Sequence, residues 1–188
     1  MLRRYVLTGA PGGGKTTVLR GLQDRGYAVV EEAATDVIAR EQLQGVDQPW
    51  QEAHFLDRVV GLQRQRQLRP VPADVRVQVY DRSPLCTLAL ALYLGRPATP
   101  TLAQEVARVT QEQVYERDVF FVRPLGFVER TAARRISYHD SLAFEAVHEA
   151  VYQEHGFDIV DVLAGPVIER TDAIGRCIAS NSCGLTEG

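Results

Sequence analysis

Lysine is almost missing from this chain of 188 residues: of its 21 basic residues twenty are arginine, and the single lysine is Lys15. Cysteine is nearly as scarce. Cys86, Cys177 and Cys183 are odd in number and show no C-x-x-C spacing, which excludes a disulfide framework and a zinc knuckle. No long apolar run exists either, since Leu85 to Leu94 is about half of the ~20 residues a bilayer span requires. The N-terminus leads into a strand rather than a signal peptide, so the expected location is the cytoplasm. Neither charge dominates: the net charge is −3, which argues against nucleic acid or an anionic membrane as the main partner. With 45% apolar and 24% charged residues, disordered and collagen-like classes are excluded as well. The length suits one domain with one core, expected over residues 1–178, with 179–188 as a flexible tail.

The surroundings of Lys15 explain why that position is not arginine. Tyr5-Val6-Leu7 is a short apolar run, as in a parallel strand covered on both faces. It runs into Gly9-Ala10-Pro11-Gly12-Gly13-Gly14-Lys15-Thr16-Thr17, and an amphipathic segment with Val18, Leu19 and Leu22 follows. Strand, glycine-rich loop and helix in that order form a phosphate-binding loop. Backbone N–H groups of Gly12, Gly13, Gly14, Lys15, Thr16 and Thr17 curl around a polyphosphate, and the new helix presents its positive end. An ammonium on a flexible stem, expected to be exposed in the empty loop, reaches the outer phosphates, where a planar guanidinium would fill the cradle. Thr16 offers a hydroxyl to Mg²⁺.

Periods of two and 3.6 alternate along the rest of the chain. Strands are expected at Ala28 to Val30, Val75 to Tyr80, Val119 to Val122 and Ile159 to Val162. Helices are expected from Thr35, as cap, to Gln44; from Asp47 and Pro49 to Leu68; over Leu85 to Leu94; over Leu102 to Tyr115; over Tyr138 to His155 with Ser137 and Asp140 at capping spacing; and from Pro166. The pattern predicts a three-layer α/β fold: a five-stranded parallel sheet with helices on both faces and ligands at the carboxyl ends of the strands.

Four features fall on that edge. The phosphate loop is the first. Glu31-Glu32 ends the second strand, and Glu32 is a candidate to orient an acceptor hydroxyl. Asp81 follows the third strand, where a carboxylate either holds Mg²⁺ through water or accepts a proton. Asp81-Arg82-Ser83-Pro84 also reads as a helix start with Asp81 as cap. Arg82 either grips an anionic substrate or forms an ion pair. Last, Arg123, Arg130, Arg134 and Arg135 crowd an irregular segment, 123–138, which reads as a lid over the transferring phosphoryl group; Arg134 is its catalytic candidate, and Arg130 and Arg135 are substrate contacts. The run Gln63 to Gln67 reads as the wet face of a helix, His148 and His155 as surface residues, His139-Asp140 as no metal pair, and Cys86 as core.

The chain resembles the small AAA-type ATPases whose functional relatives are the ribosylnicotinamide kinase domain and other nucleoside or small-molecule kinases. The segments that carry the resemblance are VLTGAPGGGKTT at Val6 to Thr17, YAVVEEAA at Tyr27 to Ala34, VYDRSP at Val79 to Pro84, RTAARR at Arg130 to Arg135, and HEAVYQEHGFDIVDVLAGPVIERTDAI at His148 to Ile174. Thr35 stands where the family often has arginine, and Thr131 where it often has aspartate; both fall on the acceptor side. The resemblance implies that Ala164-Gly165-Pro166 lies against an adenine through backbone contacts. It also implies ATP and Mg²⁺ as cofactors and a small-molecule acceptor as partner. GTP is disfavoured, because an Asn/Thr-Lys-x-Asp element is impossible with one lysine and a single asparagine, Asn181. Three functions are expected in descending order: a kinase of a small hydroxyl-bearing acceptor, a slow nucleotide-dependent switch acting through a protein partner, and a nucleotide-binding module without turnover.

Overall fold

The computed structural model describes residues 1–9, 12–124 and 138–180, with only the backbone of 138–141. Five strands, β1 (Arg3–Thr8), β2 (Ala28–Val30), β3 (Val77–Asp81), β4 (Asp118–Val122) and β5 (Asp158–Val162), form one parallel sheet in the order β2-β3-β1-β4-β5. Seven helices cover it among the described residues: α1 (Lys15–Asp24), α2 (Ala33–Leu43), α3 (Phe55–Gln67), α4 (Pro84–Tyr93), α5 (Pro100–Gln111), α6 (Tyr138–Glu154) and α7 (Val167–Ser180). None is long and apolar enough to cross a membrane.

Alternation along the strands builds two cores. Val6, Tyr80 and Val119 face the layer that contains α2 to α6, whereas Tyr5, Leu7, Val79, Phe120 and Val122 face α1 and α7. Runs such as Tyr5-Val6-Leu7 are therefore apolar throughout because both faces are covered. Register sets the functional edge: Leu7 pairs with Asp81 and Thr8 with Phe121. Gly9 then leaves β1 at φ +123°, where a Cβ would lie 2.4 Å from the Val122 carbonyl oxygen, so only glycine lets the loop depart past β4.

Several boundaries differ from the sequence pattern for physical reasons. β3 starts at Val77 and ends on Asp81, so Asp81 is a strand residue. The helix cap after it is Ser83, whose Oγ accepts from the Leu85 N–H at 3.3 Å, with Pro84 at the first helical position. α2 begins at Ala33, before Thr35, whose hydroxyl instead donates to Glu32 Oε2 at 2.9 Å. The segment after Asp47 forms a 3-10 turn over Pro49–Gln51 before α3 starts at Phe55. α5 ends at Gln111, and Gln113 at φ +48° turns the chain so that Tyr115 is buried beyond the helix. α7 runs to Ser180, two residues into the expected tail.

The run Gln63 to Gln67 is wet only in part, at the exposed Arg64 and Gln65. Gln63 and Gln67 are buried: Gln63 donates to the Ser83 carbonyl at 3.1 Å and accepts from the Thr87 hydroxyl at 3.0 Å, and Gln67 accepts from Arg108 at 2.7 Å. His148 is also buried, with no exposed surface, between Phe144 and Arg82. The glutamines are satisfied from the start of α4 and from α5, and His148 by the Phe144 carbonyl of its own helix and by Arg82 in the turn after β3.

Candidate nucleotide and acceptor site

The loop between β1 and α1 is shaped by Gly12 at φ +89° and Gly14 at φ +80°, both in the left-handed region. Gly14 is the N-cap of α1, yet no side chain caps the helix and no acid sits in its first turn. The leading N–H groups of Lys15 and Thr16, at the positive end of α1, are thus suited to an anion. Lys15 is not exposed. It is 8% accessible, and its Nζ donates to the Gly9 carbonyl at 3.0 Å. Burial, followed by the charge of Arg82, lowers its pKa to about 8, against the opposing pull of Asp81 and Glu32. The side chain spans the loop from end to end.

Asp81, buried at the tip of β3, faces a cavity of about 180 Å³ that Thr16, Arg20, Glu31, Glu32 and Asp36 also line. Asp81 is thereby separated from the capping role, which belongs to Ser83. Of the two glutamates on this cavity, Glu32 is the one paired with Arg82. Its Oε1 lies 2.6 Å from Arg82 Nε in an ion pair. Burial alone would raise its pKa, but the Arg82 and Lys15 charges and the Thr35 hydroxyl hold it below the usual carboxylate value. Glu31 is exposed and contributes its carbonyl, which accepts from Arg66 at 2.6 Å.

Arg82 adopts φ +71°, a conformation that costs a non-glycine residue about 1 kcal/mol or more. Behind it, His148 binds the Phe144 carbonyl through Nδ1 at 3.0 Å, which leaves the lone pair of Nε2 toward Arg82 Nη1 at 3.4 Å. Burial and the Arg82 charge lower the His148 pKa to about 3, so the ring is neutral and serves as acceptor. One helical turn later Tyr152 binds Ser83 Oγ at 2.7 Å and Cys86 Sγ at 3.1 Å, and Cys86 lies 3.1 Å from Thr8 Oγ1. α6 therefore fixes the turn after Asp81 from beneath.

Arg123 is a correction to the basic-lid reading. It pairs with Asp161 at 2.6 Å and with Glu145 and Glu149, and its guanidinium stacks 4.5 Å from the centre of the Phe121 ring. Those bonds tie β4 to β5 and α6. Arg130, Arg134 and Arg135 lie outside the described residues. Ala164, Gly165 and Pro166 form an exposed turn between β5 and α7, on the strand-end edge that holds the loop.

Two functional candidates were missed by sequence reasoning. His148 was read as surface, although its spacing of four from Phe144 and Tyr152 puts it on their buried stripe. Arg170 donates to the Gly13 carbonyl at 2.8 Å and the Arg123 carbonyl at 3.1 Å. Its signal was again periodicity: Arg170, Ile174 and Ile178 share one face of α7, so an arginine stands in an apolar stripe.

No three metal-ligating side chains cluster among the described residues. The hydroxyl of Thr16 and the carboxylate of Asp81 on one cavity nevertheless fit Mg²⁺, which keeps most of its waters and takes few protein oxygens beside phosphate.

Residues 4–170 match the model of a family described as an AAA domain. No curated protein is significantly similar in sequence. Among solved structures, the shikimate kinase of Acinetobacter baumannii in complex with shikimate is 16% identical, with a TM-score of 0.61 over 97% of this chain and 96% of that one. A deoxyadenosine kinase from M. mycoides is 14% identical, with a TM-score of 0.59 over 95% of this chain and 100% of that one. NadR in complex with NR is 18% identical with a TM-score of 0.69; all of this chain is covered, but only 52% of NadR. At these identities the likeness is one of fold.

Proposed function

The chain belongs to the AAA-domain family, and we propose that it is an ATP-dependent kinase of a small hydroxyl-bearing metabolite. One observation carries the reading. The phosphate loop does not end on a closed surface: beside it, Thr16, Asp81 and Glu32 share a cavity of about 180 Å³. That is below the ~300–1,000 Å³ of sites for drug-sized ligands and suits a small acceptor.

Each residue then has a role. The backbone of Gly12, Gly13, Gly14, Lys15, Thr16 and Thr17 receives the phosphates, and Lys15 shifts from the Gly9 carbonyl to phosphate oxygen. Mg²⁺, when bound through Thr16, would neutralise charge on the phosphates, which leaves the Asp81 carboxylate beside it as the base. The acceptor oxygen attacks the γ-phosphorus as the bond to the β–γ bridging oxygen breaks, and Asp81 takes the proton that the acceptor loses. Glu32 and Arg82 orient the acceptor hydroxyl. By the family resemblance Ala164, Gly165 and Pro166 sit against adenine, and Arg130, Arg134 and Arg135 close on the transferring group.

A thermal-shift series tests the proposal: ATP analogue with Mg²⁺ first, then the same with sugars, amino alcohols, nucleosides and hydroxy acids added singly. A further rise in midpoint with one acceptor, matched by acceptor-dependent ADP release, is the expected result. ADP release that no acceptor accelerates favours the slow switch, and binding without release the module without turnover.

A further inference from the structure

Arg170 is the one buried arginine among the described residues. The partly buried Arg66, Arg82 and Arg108 each pair with a carboxylate. Arg170 is 4% accessible, and its partners among the described residues are two backbone carbonyls; its Nε has none. A buried cation without a counter-charge is costly. Its position adds to the cost, because it sits in the first turn of α7 and bonds the residue that precedes the N-cap of α1, so two positive helix ends lie close to it. Burial accordingly lowers its pKa.

The contact with Gly13 shows where the missing charge belongs. In a trans peptide the C=O of Gly13 and the N–H of Gly14 point in opposite directions. A guanidinium on that oxygen draws electron density from the shared peptide and makes the Gly14 N–H a stronger donor on the side away from α7. We propose that Arg170 is a positioning residue for the phosphate site: it polarises the Gly13–Gly14 peptide toward a bound nucleotide polyphosphate, whose negative charge is the counter-charge absent from the described fold. The second bond, to the Arg123 carbonyl, keeps the guanidinium in line by anchoring it to the end of β4. This rests on nucleotide binding at the loop and not on phosphoryl transfer.

The test compares wild type, Arg170→Met, Arg170→Gln and Arg170→Lys. Calorimetry follows ADP and inorganic tripolyphosphate, saturation-transfer NMR follows adenosine, and urea melts give the stability of the ligand-free chain. Arg170→Met should lose at least about tenfold in affinity for ADP and tripolyphosphate, keep adenosine within about twofold, and be no less stable than wild type without ligand. Arg170→Lys should recover part of the loss, and Arg170→Gln, with a donor but no charge, should recover less. Equal losses for ADP and adenosine, or a drop in ligand-free stability with polyphosphate affinity unchanged, would reduce Arg170 to a structural brace. If Arg170→Met does not fold, the order of Arg170→Lys and Arg170→Gln decides the point. Wild type that binds neither ADP nor tripolyphosphate would overturn the nucleotide reading itself, a result distinct from the others.

Discussion

Glu32, two residues beyond the end of β2, and Arg82, one residue beyond β3, close an ion pair of 2.6 Å across the strand ends of the sheet. The pair explains how Arg82 tolerates φ +71°: Glu32 holds its guanidinium in front and the neutral His148 ring receives it from behind. Since Thr35 donates to the other oxygen of Glu32, the first turn of α2 is fixed by the same carboxylate.

Glu32→Gln should therefore destabilise the chain by about 2 kcal/mol, below the 3–5 kcal/mol of a fully buried pair, because the Glu32 side chain remains 30% accessible. The sign with pH follows from the lowered pKa. The unfolded chain binds the proton more readily, so the contribution of Glu32 is complete above its ordinary value of 4.5 and fades as pH falls through the lower folded value. Urea melts of both proteins between neutral and acid pH should converge at the acid end.

Asp81→Asn and Ser83→Ala separate chemistry from capping. Asp81→Asn should retain nucleotide binding and lose turnover by about 10²-fold or more. Ser83→Ala should cost about 1–2 kcal/mol of stability, for the lost cap and the lost bond to Tyr152, with turnover close to wild type. Single-turnover ADP release and denaturant midpoints on the same samples check both; turnover unchanged in Asp81→Asn would remove it from the mechanism.

Lys15 should make ligand-free stability depend on alkaline pH. Its folded pKa of about 8 lies below the unfolded 10.5, so between those values the unfolded chain binds more protons and stability rises with pH. Lys15→Met should abolish that rise and weaken ATP binding by about tenfold or more, a loss near 1.4 kcal/mol at least. Saturating nucleotide, by keeping the amine charged, should flatten the wild-type profile.

Gly9→Ala should be among the most damaging single changes, about 3 kcal/mol or more, because φ +123° and the carbonyl of Val122 at 2.4 Å both exclude a methyl group. Circular dichroism melts check it. A midpoint near wild type would mean that the loop leaves β1 by another route.

Local chemistry made much of this architecture legible. β1, the glycines and α1 follow one another within residues 3–24, so the phosphate loop needed no tertiary information. The strands were visible because a covered parallel sheet demands apolar runs. The link between Glu32 and Arg82 was not, since they lie fifty positions apart and either reads alone as a solvated strand end. Gln63 and His148 failed for a related reason: polarity suggests water, and only the turn after β3, distant in sequence, reveals the partners, the Ser83 carbonyl and Arg82. Arg123 was grouped with Arg130 by nearness in sequence, yet its carboxylates come from β5 and α6.

The single lysine has a consequence for how this protein can be modified. Within these 188 residues acylation, methylation or ubiquitin attachment finds one side-chain amine, and it is 8% accessible inside the phosphate loop. The folded surface carries its positive charge as guanidinium alone, so lysine-directed regulation cannot tag this domain and spare its nucleotide site. On the proposed role of Lys15 any such tag would be an off-switch, and bound nucleotide would shield the chain from it.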